Sequence, residues 1–200
     1  MKLGVPLTFM VAVAAADAGC VDPRKDYDDF GNKLVDASTV DIDGMIVSTL
    51  PDITGDWYMG ARPDLPEDRI IELVVTFTFT PVTTNTGTLS YSGRFLDVTT
   101  HEPVGDPLSD DGVAIGADGQ GEYALAGQLP AAANPVTGSN ANIDATMQIE
   151  LRSADFVCGT ADGAAGGLSL AGTTWSAVRI TDPGTLPTLT WNCDQQPTAP

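Results

Sequence analysis

The side chains whose types could do chemistry are one histidine, His101, three cysteines and 27 carboxylates. His101 stands in a stretch rich in Pro, Gly and Asp and reads as a solvated loop residue. A Ser-His-Asp triad is spatial and not sequential, and nothing marks its serine. The patterns G-x-S-x-G, S-x-x-K, H-E-x-x-H and C-x-x-C are all missing. The expectation is no catalytic residue and no enzyme, with an unrecognised hydrolase as the remote alternative.

The carboxylates cluster twice. Asp106, Asp110, Asp111, Asp118 and Glu122 crowd one stretch, and Asp41-Ile42-Asp43-Gly44 forms another. Acidic groups near glycine can wrap calcium, but the D-x-D-x-D-G order of an EF-hand loop is absent. These segments read as charged, solvated loops, and no metal and no cofactor is expected. With so many acids, a close pair of the kind glycosidases use carries little information.

The formal net charge is −18. Beyond Lys33 the cations are Arg62, Arg69, Arg94, Arg152 and Arg179, apart from His101. Nucleic-acid binding needs clustered Lys and Arg to neutralise phosphates, so that function is excluded as an expectation. The acidity itself serves solubility.

The cysteines speak to location. Lys2 and the apolar stretch from Leu3 to Ala16 make residues 1–19 a signal peptide, too short for the ~20 residues of a membrane-spanning helix. Two cleavage readings follow. Ala16-Asp17-Ala18 is an A-x-A site, whereas Ala18-Gly19-Cys20 resembles the end of a bacterial lipobox, from whose aliphatic position Asp17 departs. In the second reading the Cys20 thiol is acylated. Cys158 and Cys193 lie far from the leader and can pair, which leaves Cys20 as the odd thiol for lipidation.

The elements follow from periodicity. Asp22-Pro23 opens a helix, and Tyr27, Phe30, Leu34 and Val35 give it one apolar face over about residues 23–36. From Val40 onward the period is two. Ile71, Leu73, Val75, Phe77 and Phe79 face one way, and Glu72, Thr76, Thr78 and Thr80 the other. A turn near Asn85 leads into Leu89, Tyr91, Gly93 and Phe95. Asp118-Gly119 turns a second hairpin, and Ile143, Ala145, Met147, Ile149 and Leu151 alternate again. The last strands are expected at about 155–160, 166–171 and 174–181, with loops over 99–111 and 130–140.

With Thr54–Ala61 as the first strand, the count is about eight antiparallel strands, each with one apolar face that must close or double over. The expected fold is all-β, an up-and-down antiparallel barrel preceded by a short helix, with a β-sandwich as the alternative. The organisation is a signal peptide over 1–19, a lipidated N-terminus and helix over 20–39, the β-domain over 40–193, and a flexible tail over 194–200.

Two resemblances sharpen this. Gly55-Asp56-Trp57 at the start of the first strand resembles the G-x-W of lipocalins and the wider calycin barrels. That likeness implies a tryptophan closing the barrel floor under a late arginine, here Trp57 and Arg179. It also implies, as one alternative function, a carrier of a small apolar ligand. Inward residues Phe77, Phe79, Tyr91, Phe95, Tyr123 and Met147 are then the candidate ligand lining. The stretches Phe156-Val157-Cys158-Gly159-Thr160, Leu170 to Arg179 and Trp191-Asn192-Cys193, with the helix after Cys20, resemble envelope lipoproteins of Gram-negative bacteria of the myxobacterial kind. That likeness implies no biochemical activity.

The resulting expectation is a non-catalytic, lipid-anchored acidic β-domain for binding or structural interaction at the bacterial cell envelope. Val21 after the cysteine favours the outer membrane, with secretion as the alternative. Its partners would be the membrane through the lipid, and a small apolar ligand or an envelope protein.

Overall fold

The computed structural model describes residues 48–65 and 69–197; Cys20, the leader and the helix expected over 23–36 lie outside the described residues. Among the described residues there are nine strands: β1 Gly55–Arg62, β2 Ile71–Thr83, β3 Thr86–Leu96, β4 Pro103–Ile115, β5 Gln120–Leu129, β6 Ala141–Ser153, β7 Phe156–Ala165, β8 Leu168–Ser169 and β9 Thr173–Arg179. They form an all-antiparallel sheet in which β1 pairs with β2 on one edge and with β9 on the other. Because β7 pairs with both β9 and β6, the sheet closes on itself as an eight-stranded barrel, with β8 a short extra hairpin arm on β7. Closure decides against the sandwich, since a sandwich leaves edges that a barrel removes.

The alternating segments form strands for the reason their period suggests. In β2, Ile71, Leu73, Val75, Phe77 and Phe79 are buried, and Thr76, Thr78 and Thr80 are exposed. In β6, Ala141 to Leu151 alternate likewise, with Ile143, Ala145, Met147, Ile149 and Leu151 inside. Each face follows from the pleat.

Two expectations need correction. Residues 99–111 were expected as a loop, yet β4 starts at Pro103. Its pairing with β3 shifts register between Leu89 and Tyr91 and again between Gly93 and Phe95. Gly105 and Gly112 take φ of 76° and 79°. Bulges of this kind break the period of two, so the strand is written in the sequence as if it were loop. The last segment also divides differently. β7 runs on to Ala165, and the stretch expected as a strand over 166–171 is mostly the turn around the two-residue β8.

β4 tolerates Pro103 and Pro107 because its second edge is almost unpaired. It meets β5 in register only at Ile115↔Gly121. Above that pair, side chains join the two strands. Leu108 of β4 lies against Gly127 of β5, where a Cβ would collide with its Cδ2. The Tyr91 hydroxyl reaches past β4 to donate to the Ala124 carbonyl at 3.2 Å.

After β9 the chain lies along the outside of the barrel. Leu189 and the Thr190 carbonyl cover Gly60, which has no room for a Cβ. Ser176 Oγ donates to Thr190 Oγ1 at 2.8 Å, both residues being buried. A disulfide between Cys158 and Cys193, with Cα atoms 5.2 Å apart, fastens this segment to β7. The chain then makes a 3-10 turn over Cys193–Gln195, whose last two residues overlap the tail expected to be flexible over 194–200.

Candidate functional site

The barrel has unlike ends. At the end where β1 begins, Trp57 is fully buried and its Nε1 donates to the Ile53 carbonyl at 2.9 Å. Phe77 meets it edge-on at 5.8 Å, and the Arg179 guanidinium lies 4.7 Å from its ring centre. Arg179 Nε donates to the Ala154 carbonyl (2.8 Å) and to Asp155 (3.0 Å), and Nη2 donates to the Asp52 carbonyl (2.8 Å). Gly55 is required here twice over. Its φ is 142°, and a Cβ would sit 2.6 Å from Arg179 Nη1. Asp52 beside this floor has its carboxyl held below the ordinary carboxylate range, chiefly by the Thr54 backbone N–H it accepts at 2.9 Å.

Among the described residues the opposite end is open. A pocket of about 250 Å³ lies there between the end of β1, the segment 134–141 and the β7–β8 turn. Its deep side is apolar, formed by Pro63, Ile71, Leu129, Ala165 and Leu170. Pro63, Ile71, Ala165 and Leu170 also line a second space of about 50 Å³ inside the barrel, whose walls add Phe95, Leu125, Ala145 and Met147. The two spaces therefore adjoin through shared residues, with the larger at the mouth.

The rim is built by turn chemistry. Buried Asn134 uses all of its amide. Its Oδ1 accepts from the N–H groups of Val136 (3.1 Å) and Thr137 (3.2 Å). Its Nδ2 donates to Thr137 Oγ1 (2.8 Å) and the Ser139 carbonyl (2.7 Å). Asn140 Oδ1 accepts from Ala131 N–H at 2.7 Å and ties the two ends of the loop. A loop so satisfied presents a preformed rim. Asn-Pro followed by Thr-Gly-Ser-Asn marked the turn in the sequence, but nothing there marked it as one wall of a pocket.

The residues put forward as ligand lining separate into three groups. Phe95 and Met147 reach the interior space. Tyr91 and Tyr123, their rings 4.9 Å apart, border a void of only about 20 Å³ behind the β4–β5 seam. Phe77 packs on Trp57 at the closed end, and Phe79 covers Gly87, so neither borders the open pocket. Of the small inward residues, Ala145 leaves space, whereas the room at Gly127 is taken by Leu108.

His101 adopts φ 56° and sets Nδ1 2.9 Å from Glu72 Oε2, which also accepts from the Tyr58 hydroxyl. Asp97 holds that loop by accepting from the N–H groups of Thr99 (2.8 Å) and Thr100 (2.9 Å), and these bonds pull its carboxyl below the usual range. Burial, followed by the bond to Glu72, pushes the Tyr58 phenol up. Elsewhere, Glu122, Asp144 and Asp162 gather on the outer face of β5, β6 and β7, where Gln148 donates to Glu122. Among the described residues, Glu150 with Cys158 and Cys193 groups potential metal donors, but the two sulfurs are spent on the disulfide.

No protein-family profile, no curated protein and no solved structure matches this chain. The eight-stranded closed barrel is compatible with a lipocalin-like architecture on its geometry alone.

Proposed function

We propose that this domain is a non-catalytic binding barrel that takes a small apolar ligand at its open end and is held at the bacterial cell envelope by lipid on Cys20. The observation that carries the ligand reading is the asymmetry of the barrel. Trp57 and Arg179 close one end, and an apolar pocket that adjoins the interior space through shared residues lies at the other. A pocket of about 250 Å³ sits at the lower edge of the size range for small-molecule sites. The ligand is accordingly short, and it is held mostly in the mouth, because the interior beyond Phe95 and Met147 is largely filled.

The test is binding of a neutral fluorescent dye, 1-aminoanthracene, to the wild type and to Ala165→Phe. Ala165 borders both spaces, so a phenyl ring there fills their junction. The dye should bind the wild type with saturation and lose about tenfold or more in affinity in the variant. Equal binding by both, with the variant folded, would count against the mouth as the site.

The envelope reading rests on the leader and on the leftover thiol at Cys20. Intact mass of the protein extracted from its native membrane tests it. A diacylglyceryl adduct on Cys20 supports the anchor, and an unmodified chain beginning at Gly19 overturns it.

A further inference from the structure

We infer that the ligand is an uncharged amphiphile whose head carries an acceptor oxygen, an ester or amide carbonyl, and that the mouth discriminates against the matching carboxylate; this rests on the mouth being the binding site. The first observation is what the lining leaves out. The chain has 27 acidic and 9 basic residues, yet among the described residues no charged side chain borders the mouth pocket or the adjoining interior space. A charged head brought there would shed water and meet no counter-ion, which is costly in proportion to how much water it loses. A negative head would also enter against the field of a chain whose formal charge is −18.

The second observation is which hydrogen-bonding groups the rim has to spare. Asn140 spends Oδ1 on the Ala131 N–H, and because that donor fixes which amide atom is the oxygen, Nδ2 with its two hydrogens is the end left over. Thr137 Oγ1 accepts from Asn134 Nδ2, so its hydroxyl hydrogen is available to an acceptor. Ser169 Oγ accepts from the Ala171 N–H at 3.2 Å, and its hydrogen is likewise uncommitted. Asn140, Thr137 and Ser169 all border the pocket. Three side chains of the rim thus have donors to spare, above an apolar floor of Ile71, Leu129, Ala165 and Leu170. A carbonyl oxygen with a short alkyl chain satisfies both zones, whereas a plain hydrocarbon leaves the donors to water.

Displacement of bound 1-aminoanthracene by methyl octanoate, octanamide and sodium octanoate at pH 8 tests this. Methyl octanoate and octanamide should each displace the dye at about tenfold lower concentration than octanoate. Ser169→Ala and Asn140→Leu remove donors one at a time. Each should weaken the ester and amide by about threefold or more relative to its effect on the dye, the expected size of one lost neutral hydrogen bond. Asn140→Leu also loses the bond to Ala131 and Ser169→Ala the bond from the Ala171 N–H, so Ser169→Ala, whose lost bond is longer and local to the turn, decides if the former unfolds. Octanoate displacing as well as the ester overturns the discrimination and leaves the mouth as the site. Dye binding that is indifferent to Ala165→Phe removes the site itself, and this inference with it.

Discussion

The guanidinium of Arg179 in β9 lies 4.7 Å from the ring centre of Trp57 in β1, and the two residues are direct partners in the strand pairing that closes the barrel. One arginine therefore fastens the first strand to the last, covers the buried tryptophan and gathers carbonyls from two separate turns. A planar fork of five donors suits that task in a way an ammonium does not.

Arg179→Ala should destabilise the barrel by about 3 kcal/mol, the scale of a few charge-assisted hydrogen bonds and one cation–π contact taken together and not summed. Arg179→Lys should recover less than half of the loss, since one ammonium cannot reach the carbonyls of both Asp52 and Ala154. Urea unfolding followed by tryptophan fluorescence reads both. A loss within experimental error for the alanine variant would show that the floor closes without it.

The Cys158–Cys193 bridge spans 35 residues, and in the chain-entropy account a loop of that size contributes about 4 kcal/mol. The double variant Cys158→Ser, Cys193→Ser should lose stability of that order. Its amide exchange should rise first over residues 189–193, which the bridge holds against the outside of β1 and β9. Uniform loss of protection throughout the barrel would mean that the segment is not a separately releasable unit.

Burial, followed by the charge of Asp110, pushes the Tyr91 phenol from 10.0 up to about 12. The folded state thus favours the neutral form. The contribution is complete below pH ~10, where the unfolded phenol is also neutral, and is lost as pH rises through about 12. Tyr58 and Tyr123 are displaced in the same direction. Tyr91→Phe should cost about 1 kcal/mol at pH 7 through the lost bond to Ala124 and should flatten the alkaline fall in stability. Urea midpoints between pH 8 and pH 12 measure this; an unchanged slope would be the adverse result.

Gly127 and Leu108 should prove strongly coupled. Gly127→Ala forces Leu108 out of the seam and should cost about 1–3 kcal/mol, the range for overpacking. In Leu108→Ala the same glycine change should cost far less, so a double-mutant cycle should return a coupling of about 1 kcal/mol or more. Simple additivity would mean that the seam is not held by this pair.

The alternation along Ile71–Phe79 and Ile143–Leu151 was legible without coordinates, because a strand with one buried face must repeat every two residues. The Gly55-Asp56-Trp57 start was legible only through its likeness to the G-x-W of lipocalin barrels; the structure supplies the reason, a glycine whose backbone and contact no side chain permits. Cys158 and Cys193 were legible as a pair because no other cysteine stands near them in the folded part. The part of β4 before Val113 was hidden, since its two bulges and its nearly unpaired edge dissolve the period and allow prolines and aspartates that otherwise signal loop.

Tertiary structure alone decided the rest. Whether the sheet closes depends on β1 meeting β9 across more than a hundred residues, a pairing that leaves no local mark. It also chose which inward side chains fill the barrel and which border space. Phe77 and Phe95 read alike in sequence, yet one packs under Trp57 and the other faces the cavity, because their strands carry them to opposite ends. The mouth comes together only when the end of β1, the loop after β5 and the β7–β8 turn converge. Each segment is unremarkable alone, and only once they meet do their uncharged side chains line one space, with Arg62 and Asp64 outside the lining among the described residues.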